Sequence, residues 1–213
     1  MTFYKAPVRR FTFPMASNKA HHATGWAAGV IAAALVAHAG AGGPYQVLSM
    51  LAFVMGALGG TAPDWLEVAW WARTHKLWIT HRTWTHWGLA WIALLVYTYL
   101  QLPYHLWAPP LFGFAAGGIM HLLADWPNPL GVPWIFRRHS LRWWKSGRHD
   151  IIVIIAAWLA ATIVADHVFF DGIHWQRTVL AFDGLLRWSA TALQQAWADL
   201  QQWQERWRLG GGQ

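Results

Sequence analysis

The sequence predicts an all-α protein, a polytopic membrane helical bundle of about five spans followed by a C-terminal amphipathic helix. Three observations carry this reading. Of 213 residues, 56% are hydrophobic and only 12% charged, whereas soluble chains average about 25% charged residues. Half that allowance cannot cover a water-exposed surface, so lipid must cover part of it. The chain also holds 19 tryptophans, and indole rings favour the membrane interface, where the ring is sheltered and its N–H stays wet. Finally, five apolar stretches recur, with Lys and Arg confined to alternate connections between them.

The stretches are roughly Ala23–Gly43, Pro44–Gly60, Trp87–Trp107, Pro109–Trp126 and Ile151–Phe170. A hydrocarbon core of about 30 Å needs roughly 20 apolar helical residues. The second stretch is short and contains glycine, which suits a protein-covered span or a re-entrant segment. Lys5, Arg9, Arg10 and Lys19 precede the first stretch; Arg73, Lys76 and Arg82 follow the second; Arg137, Arg138, Arg142, Lys145 and Arg148 follow the fourth. The connections near Ala41 and Leu102–Pro103 carry no Lys or Arg. The positive-inside rule then predicts a cytoplasmic N-terminus, cytoplasmic basic segments and a tail on the far side. A signal peptide cleaved near Ala37-His38-Ala39 is the weaker alternative, because its charged leader would be unusually long. The expected organisation is a basic N-terminal segment (1–20), a membrane-embedded unit (21–170) and an amphipathic helix (171–213).

In the tail, Val179, Phe182, Leu186, Leu193, Ala196, Leu200, Trp203 and Trp207 fall on a 3-4 spacing interrupted at Ser189, with glutamines mostly off that stripe. Such a helix packs on the bundle, lies on the membrane surface, or pairs with another copy to make a homo-oligomer. The formal charge of +7 does not point to nucleic acid, because the basic residues flank apolar runs instead of lining a polar groove. With no cysteine, disulfides and thiolate metal sites are excluded, which leaves His, Asp and Glu as metal donors.

Residues 1–165 contain only four carboxylates: Asp64, Glu67, Asp125 and Asp150. A membrane protein keeps acids near the bilayer only where something compensates them. The expected topology gathers them with histidines on one face: His21 and His22 before the first span, Asp64 after the second, His81 and His86 before the third, His121 and Asp125 ending the fourth, His149 and Asp150 opening the fifth. His121 and Asp125 are four apart, so on a helix they share a face. They suit joint coordination of a cation, orientation of the imidazole by the carboxylate, or a plain helix-joining hydrogen bond. Adjacent His21 and His22 cannot both point the same way, so one is expected as a ligand. Arg82 is a candidate for binding a substrate phosphate, or else a solvated loop charge.

The segments His21-His22-Ala-Thr-Gly25, Gly59-Gly-Thr-Ala-Pro63-Asp64, His81-Arg82-Thr-Trp-Thr85-His86 and Gly118-Ile-Met-His121-Leu-Leu-Ala-Asp125, the last followed by Pro127-Asn-Pro-Leu-Gly131, resemble the YdjM-like family of inner-membrane metal-dependent hydrolases, typified by a LexA-regulated bacterial protein. They occur in the family's order across about residues 20–155. Leu66 stands where the family tends to place a second acid, with Glu67 one residue later. Trp87 replaces a small or polar residue, and Asp150 replaces a glutamate. The resemblance implies a multi-pass protein of the bacterial inner membrane holding one or two divalent ions, zinc foremost, with manganese or iron as alternatives. The expected ligands are His81, His86, His121 and Asp125, completed by Asp64 and one of His21 or His22, with Glu67 or Asp150 as general base. An amphiphilic ester or phosphoester at the cytoplasmic face is the expected substrate. A non-catalytic membrane scaffold with a structural metal is the alternative, and a transporter fits less well because the span centres lack ionisable residues.

Overall fold

The computed structural model describes residues 17–40, 43–67, 84–143 and 149–210. Most of the basic N-terminal segment, His81 and Arg82 lie outside the described residues. Helices occupy all five predicted stretches: α1 (Asn18–Ala39), α2 (Gly43–Gly59), α3 (Gly88–Gln101), α4 (Ala108–Asp125) and α5 (Asp150–Phe170). The tail forms α6 (Ile173–Gly210). A helical turn over 62–67 follows α2, and a 3₁₀ turn, Trp84–His86, precedes α3. A small hairpin follows α4, in which β1 (Val132–Pro133) pairs antiparallel with β2 (Arg138–His139).

The bundle is built around α1, α2 and α4, which approach each other through glycine. Gly25 and Gly29 on α1 face Gly60 and Gly56 on the second stretch, and a Cβ on Gly25 would sit 2.9 Å from the Gly60 Cα. Gly113 and Gly117 on α4 meet the backbone of Ala52 and Gly56. Three small-xxx-small pairs therefore interlock, the usual way membrane helices pack without a hydrophobic driving force between them. Around this seam Val36, Leu102 and Phe112 close one end of the core, while Trp91, Leu122 and Val132 close the end near the hairpin.

The ends of α1 and α5 are tied together. Ser17 caps α1, its hydroxyl accepting from the Ala20 amide at 3.3 Å, and its own amide donates to Asp150 Oδ2 at 2.9 Å. An acid in the first turn of α5 also complements the helix dipole. Ala157 and Ala161 of α5 pack on Ala27 of α1. The other side of α5 presents Ile151, Ile152, Ile155 and Leu159 outward.

Two of these helices, α1 and α5, are long and apolar enough to cross a membrane. The helices at the other predicted spans fall short for identifiable reasons. At 17 and 14 residues, α2 and α3 cover only about 26 and 21 Å at 1.5 Å per residue. The 18 residues of α4 include Pro109, Pro110, His121 and Asp125.

Of the three placements expected for the tail, packing along the bundle is not the one the structure shows. Asp171 and Gly172 turn the chain with φ of 53° and 75°. Asp166 then caps α6, accepting from the Trp175 amide at 2.8 Å and pairing with His174 at 2.9 Å. Beyond that junction the stripe residues Val179, Phe182, Leu186, Leu193, Leu200 and Trp203 remain exposed.

Candidate metal centre

Four separate segments deliver donors to one point. His21 arrives on the first turn of α1, held there by the Ser17 cap. Asp64 and Glu67 come from the turn after α2, His86 from the 3₁₀ turn, and His121 and Asp125 from the last turn of α4. His21, His86, His121 and Asp125 are completely buried. His86 is placed by its neighbours: the Trp91 indole donates to the Thr85 carbonyl at 2.7 Å, and the Thr85 hydroxyl lies 3.1 Å from His86 Nδ1.

His121 is the hub. Its Nδ1 lies 2.8 Å from the Gly60 carbonyl. A carbonyl can only accept, so that nitrogen carries the proton and Nε2 presents a lone pair. That Nε2 lies 3.3 Å from His86 Nε2, 3.6 Å from Asp64 Oδ1 and 3.5 Å from Asp125 Oδ2. His86 Nε2 in turn lies 3.4 Å from Asp64 Oδ1 and 3.8 Å from Asp125 Oδ2. His21 stacks on His121, with ring centroids 3.8 Å apart, and its Nε2 lies 3.6 Å from Asp125 Oδ1.

This donor set fits a divalent cation. Asp64 Oδ1 is buried without a hydrogen-bond partner, although it sits among imidazole nitrogens. Carboxylate oxygens and imidazole lone pairs crowded together repel unless a proton or a cation lies between them. Among the described residues two groups have ligand atoms within 4.8 Å of one another, close enough to hold a metal ion: His21, His121 and Asp125, and Asp64, His86 and His121. Both use His121.

The remaining expected site residues divide. His22 is exposed and does not join the cluster. Glu67 Oε2 lies 4.0 Å from His86 Nδ1, on the side of the ring away from the donors. Asp150 is engaged with Ser17 instead, so its expected role as a base at the cluster is not what the structure places there. His81 and Arg82 fall outside the described residues. Two supports were not anticipated from sequence. One is the Gly60 carbonyl on His121. The other is Asn128, fully buried, whose amide donates to Asp125 Oδ1 at 3.4 Å. Asn128 belongs to the Pro-Asn-Pro turn after α4, and that motif was its only signal.

Electrostatics keep His86 and Asp64 in ligand form. Burial holds the His86 imidazole below its ordinary value, and the nearby His121 ring adds to this against the pull of Asp64 and Asp125. Burial pushes the Asp64 carboxyl up, but its contact with His86 and the neighbouring His121 and His21 rings outweigh this and leave it below the usual carboxylate value. A His whose folded pKa is depressed contributes stability that is complete above the unfolded value, about 6.5, and is lost as pH falls below it. Chelator-treated protein should therefore unfold at lower temperature at pH 5 than at pH 7, with a smaller difference in His86→Gln. Asp64 adds nothing in that interval, since its loss begins only below about 3.8. Identical pH dependence in the wild type and His86→Gln would contradict the burial of a neutral imidazole.

Comparison with known proteins gives one match and two negatives. A family profile described as YdjM inner membrane protein matches residues 15–197. Neither curated proteins nor solved structures yield a match. The profile spans the cluster, all five apolar helices and most of α6, and its description agrees with the two apolar helices in marking a membrane protein. The chain belongs to the YdjM inner membrane protein family.

Proposed function

We propose that the chain is a multi-pass inner-membrane hydrolase, its N-terminus cytoplasmic, that uses a divalent metal at the cytoplasmic ends of its helices. The observation that carries this reading is the convergence of His86 Nε2, His121 Nε2, Asp64 Oδ1 and Asp125 Oδ2 within 3.3 to 3.8 Å of one another along the measured pairs. Five spans follow if the shorter α2, α3 and α4 cross within the shelter of α1 and α5, as the alternation of Lys and Arg favours.

His21, Asp64, His86, His121 and Asp125 would hold one or two ions. The nitrogen and oxygen donor set suits zinc, with manganese or iron as alternatives. A cation bound there supplies Lewis-acid activation of water and of an ester or phosphoryl oxygen. The protein's own groups do the rest. Gly60 fixes the His121 tautomer, and Asn128 orients the Asp125 carboxylate. Glu67, 4.0 Å from His86 Nδ1, would act as general base through an intervening water. The substrate would be an amphiphilic ester or phosphoester reached from the cytoplasmic face.

One observation favours a non-catalytic scaffold: four of the donors are completely buried, as in closed structural sites. Elemental analysis of detergent-purified protein, followed by turnover assays on ester and phosphoester amphiphiles, separates the readings. Metal with turnover supports the hydrolase. Metal without turnover moves the assignment to the scaffold, and no metal after loading with zinc or manganese overturns both.

A further inference from the structure

The hairpin after α4 combines a basic cavity with an apolar tip. The cavity measures about 460 Å³ and is lined by Pro129, Leu130, Arg138, His139, Ser140 and Arg142. No acid lines it. His139 Nδ1 accepts from the Trp126 indole at 2.8 Å. That pairing leaves Nε2 as the protonated, donating nitrogen of a neutral ring. Two guanidinium groups and an imidazole N–H make a donor-rich lining that matches a phosphate group, which guanidinium can engage through paired N–H bonds.

The lining is fastened. The Ser140 hydroxyl donates to the Asn128 carbonyl, and the amides of Leu141 and Trp143 donate to the carbonyls of Trp126 and Pro127 at 3.1 and 3.2 Å. Arg142 has φ 50°, a left-handed conformation costing a non-glycine residue about 1 kcal/mol or more. The Ser140 hydroxyl accepts from its amide at 3.1 Å. Glycine would relieve that strain, so the arginine side chain is retained at a cost. Asn128, against which this strap rests, also donates to Asp125 of the cluster.

The tip faces outward. The Trp134 carbonyl accepts from the Leu89 amide at 2.8 Å and the Ile135 carbonyl from the Trp87 indole at 2.7 Å. This fixes the backbone while Ile135 and Phe136 stand 55% and 92% exposed. Two large apolar side chains beside three arginines, Arg137, Arg138 and Arg142, are arranged as interfacial anchors are, with apolar groups in the acyl region and cations at headgroup level.

We propose that this cavity binds the phosphate of a lipid headgroup in the cytoplasmic leaflet, with Ile135 and Phe136 seated among its acyl chains. The orientation rests on the topology proposed above, and the site deepens that reading by naming a phosphate-bearing lipid as the substrate class.

The test is the unfolding midpoint of the full chain in mild detergent with dioctanoyl phosphatidic acid, dioctanoylglycerol or inorganic phosphate. Phosphatidic acid at ten times its Kd should raise the midpoint by on the order of 3 °C, and dioctanoylglycerol should not. Arg138→Gln combined with Arg142→Gln should abolish the rise with metal content unchanged, which also shows the fold intact. The paired Lys substitutions should keep part of it. An equal rise with inorganic phosphate would assign the site to soluble phosphate and overturn the lipid. No rise in the wild type, or the same rise in the double Gln variant, would overturn the site. His121→Ala separates this site from the metal centre: a rise that persists there locates the phosphate in the cavity. A rise lost there but kept in the double Gln variant locates it at the metal and overturns the proposal. If the wild type held no metal, the rise would still be expected.

Discussion

Replacing His121 with alanine is expected to lower metal affinity at least ~100-fold, because changes behind the ligands alone cost 10–100-fold. The reason is its double membership. His121 Nε2 stands within 3.6 Å of donors from both groups of the cluster, so each group of three loses a member. The Gly60 carbonyl would also lose its partner. A buried acceptor left without a donor costs about 1–3 kcal/mol, so the metal-free variant should unfold earlier than metal-free wild type. His22→Ala is the matched control, since His22 is exposed and its loss should leave the metal in place. Elemental analysis of both variants checks the prediction. Equal metal loss in the two would refute the assignment of His21 as the inward member of the pair.

The second large effect is expected at Gly56. A Cβ there would sit 2.5 Å from the Gly29 Cα and 2.7 Å from the Gly29 nitrogen, and backbone cannot move aside as a side chain can. Overpacking ordinarily costs about 1–3 kcal/mol. Gly117 of α4 packs directly against the Gly56 carbonyl oxygen, so α2 is hemmed in by both α1 and α4, and Gly56→Leu should reach or exceed about 3 kcal/mol. Against a total stability of roughly 5–15 kcal/mol, this should sharply lower the yield of folded protein and release metal. Gly184 on α6 offers the contrast, because nothing lies within 4 Å of its Cβ position. Gly184→Ala should stabilise the helix by up to about 1 kcal/mol. Thermal unfolding in detergent compares the two, and a Gly56→Leu protein as stable as wild type would show that the glycine seam is not tight.

Helix positions were legible because each apolar stretch is bounded by charge, proline or glycine, and all five produced helices within a few residues of expectation. The number that cross the bilayer was not, because hydropathy and length agree only for α1 and α5. The cluster was legible from a different signal. Acids are so scarce before residue 165 that Asp64 and Asp125 stood out, and the i,i+4 spacing of His121 and Asp125 placed them on one face. Which of His21 and His22 turns inward depends on the helix phase set by the Ser17 cap. Chain position put Asp150 at the same end of the bundle as His21, and it does lie there, with Oδ2 accepting from the Ser17 amide. The glycine pairs 25/29, 56/60 and 113/117 were present in the sequence with a four-residue period, but their partners only appear once α1, α2 and α4 are packed.

The sharing of His21 and Asp125 between the first helix and the fourth has a consequence for the order of synthesis. At about 5–20 residues per second, the ribosome needs roughly 5–20 seconds to travel from one to the other. Once Gly60 has been made, partway through that interval, α1 and α2 can associate through Gly25 and Gly60, while the pocket still lacks His121 and Asp125. A cation held by the whole cluster could therefore be captured only after α4 has been made. Under the proposed function, ion loading would then act as a late lock that favours chains whose helices have all been made and packed.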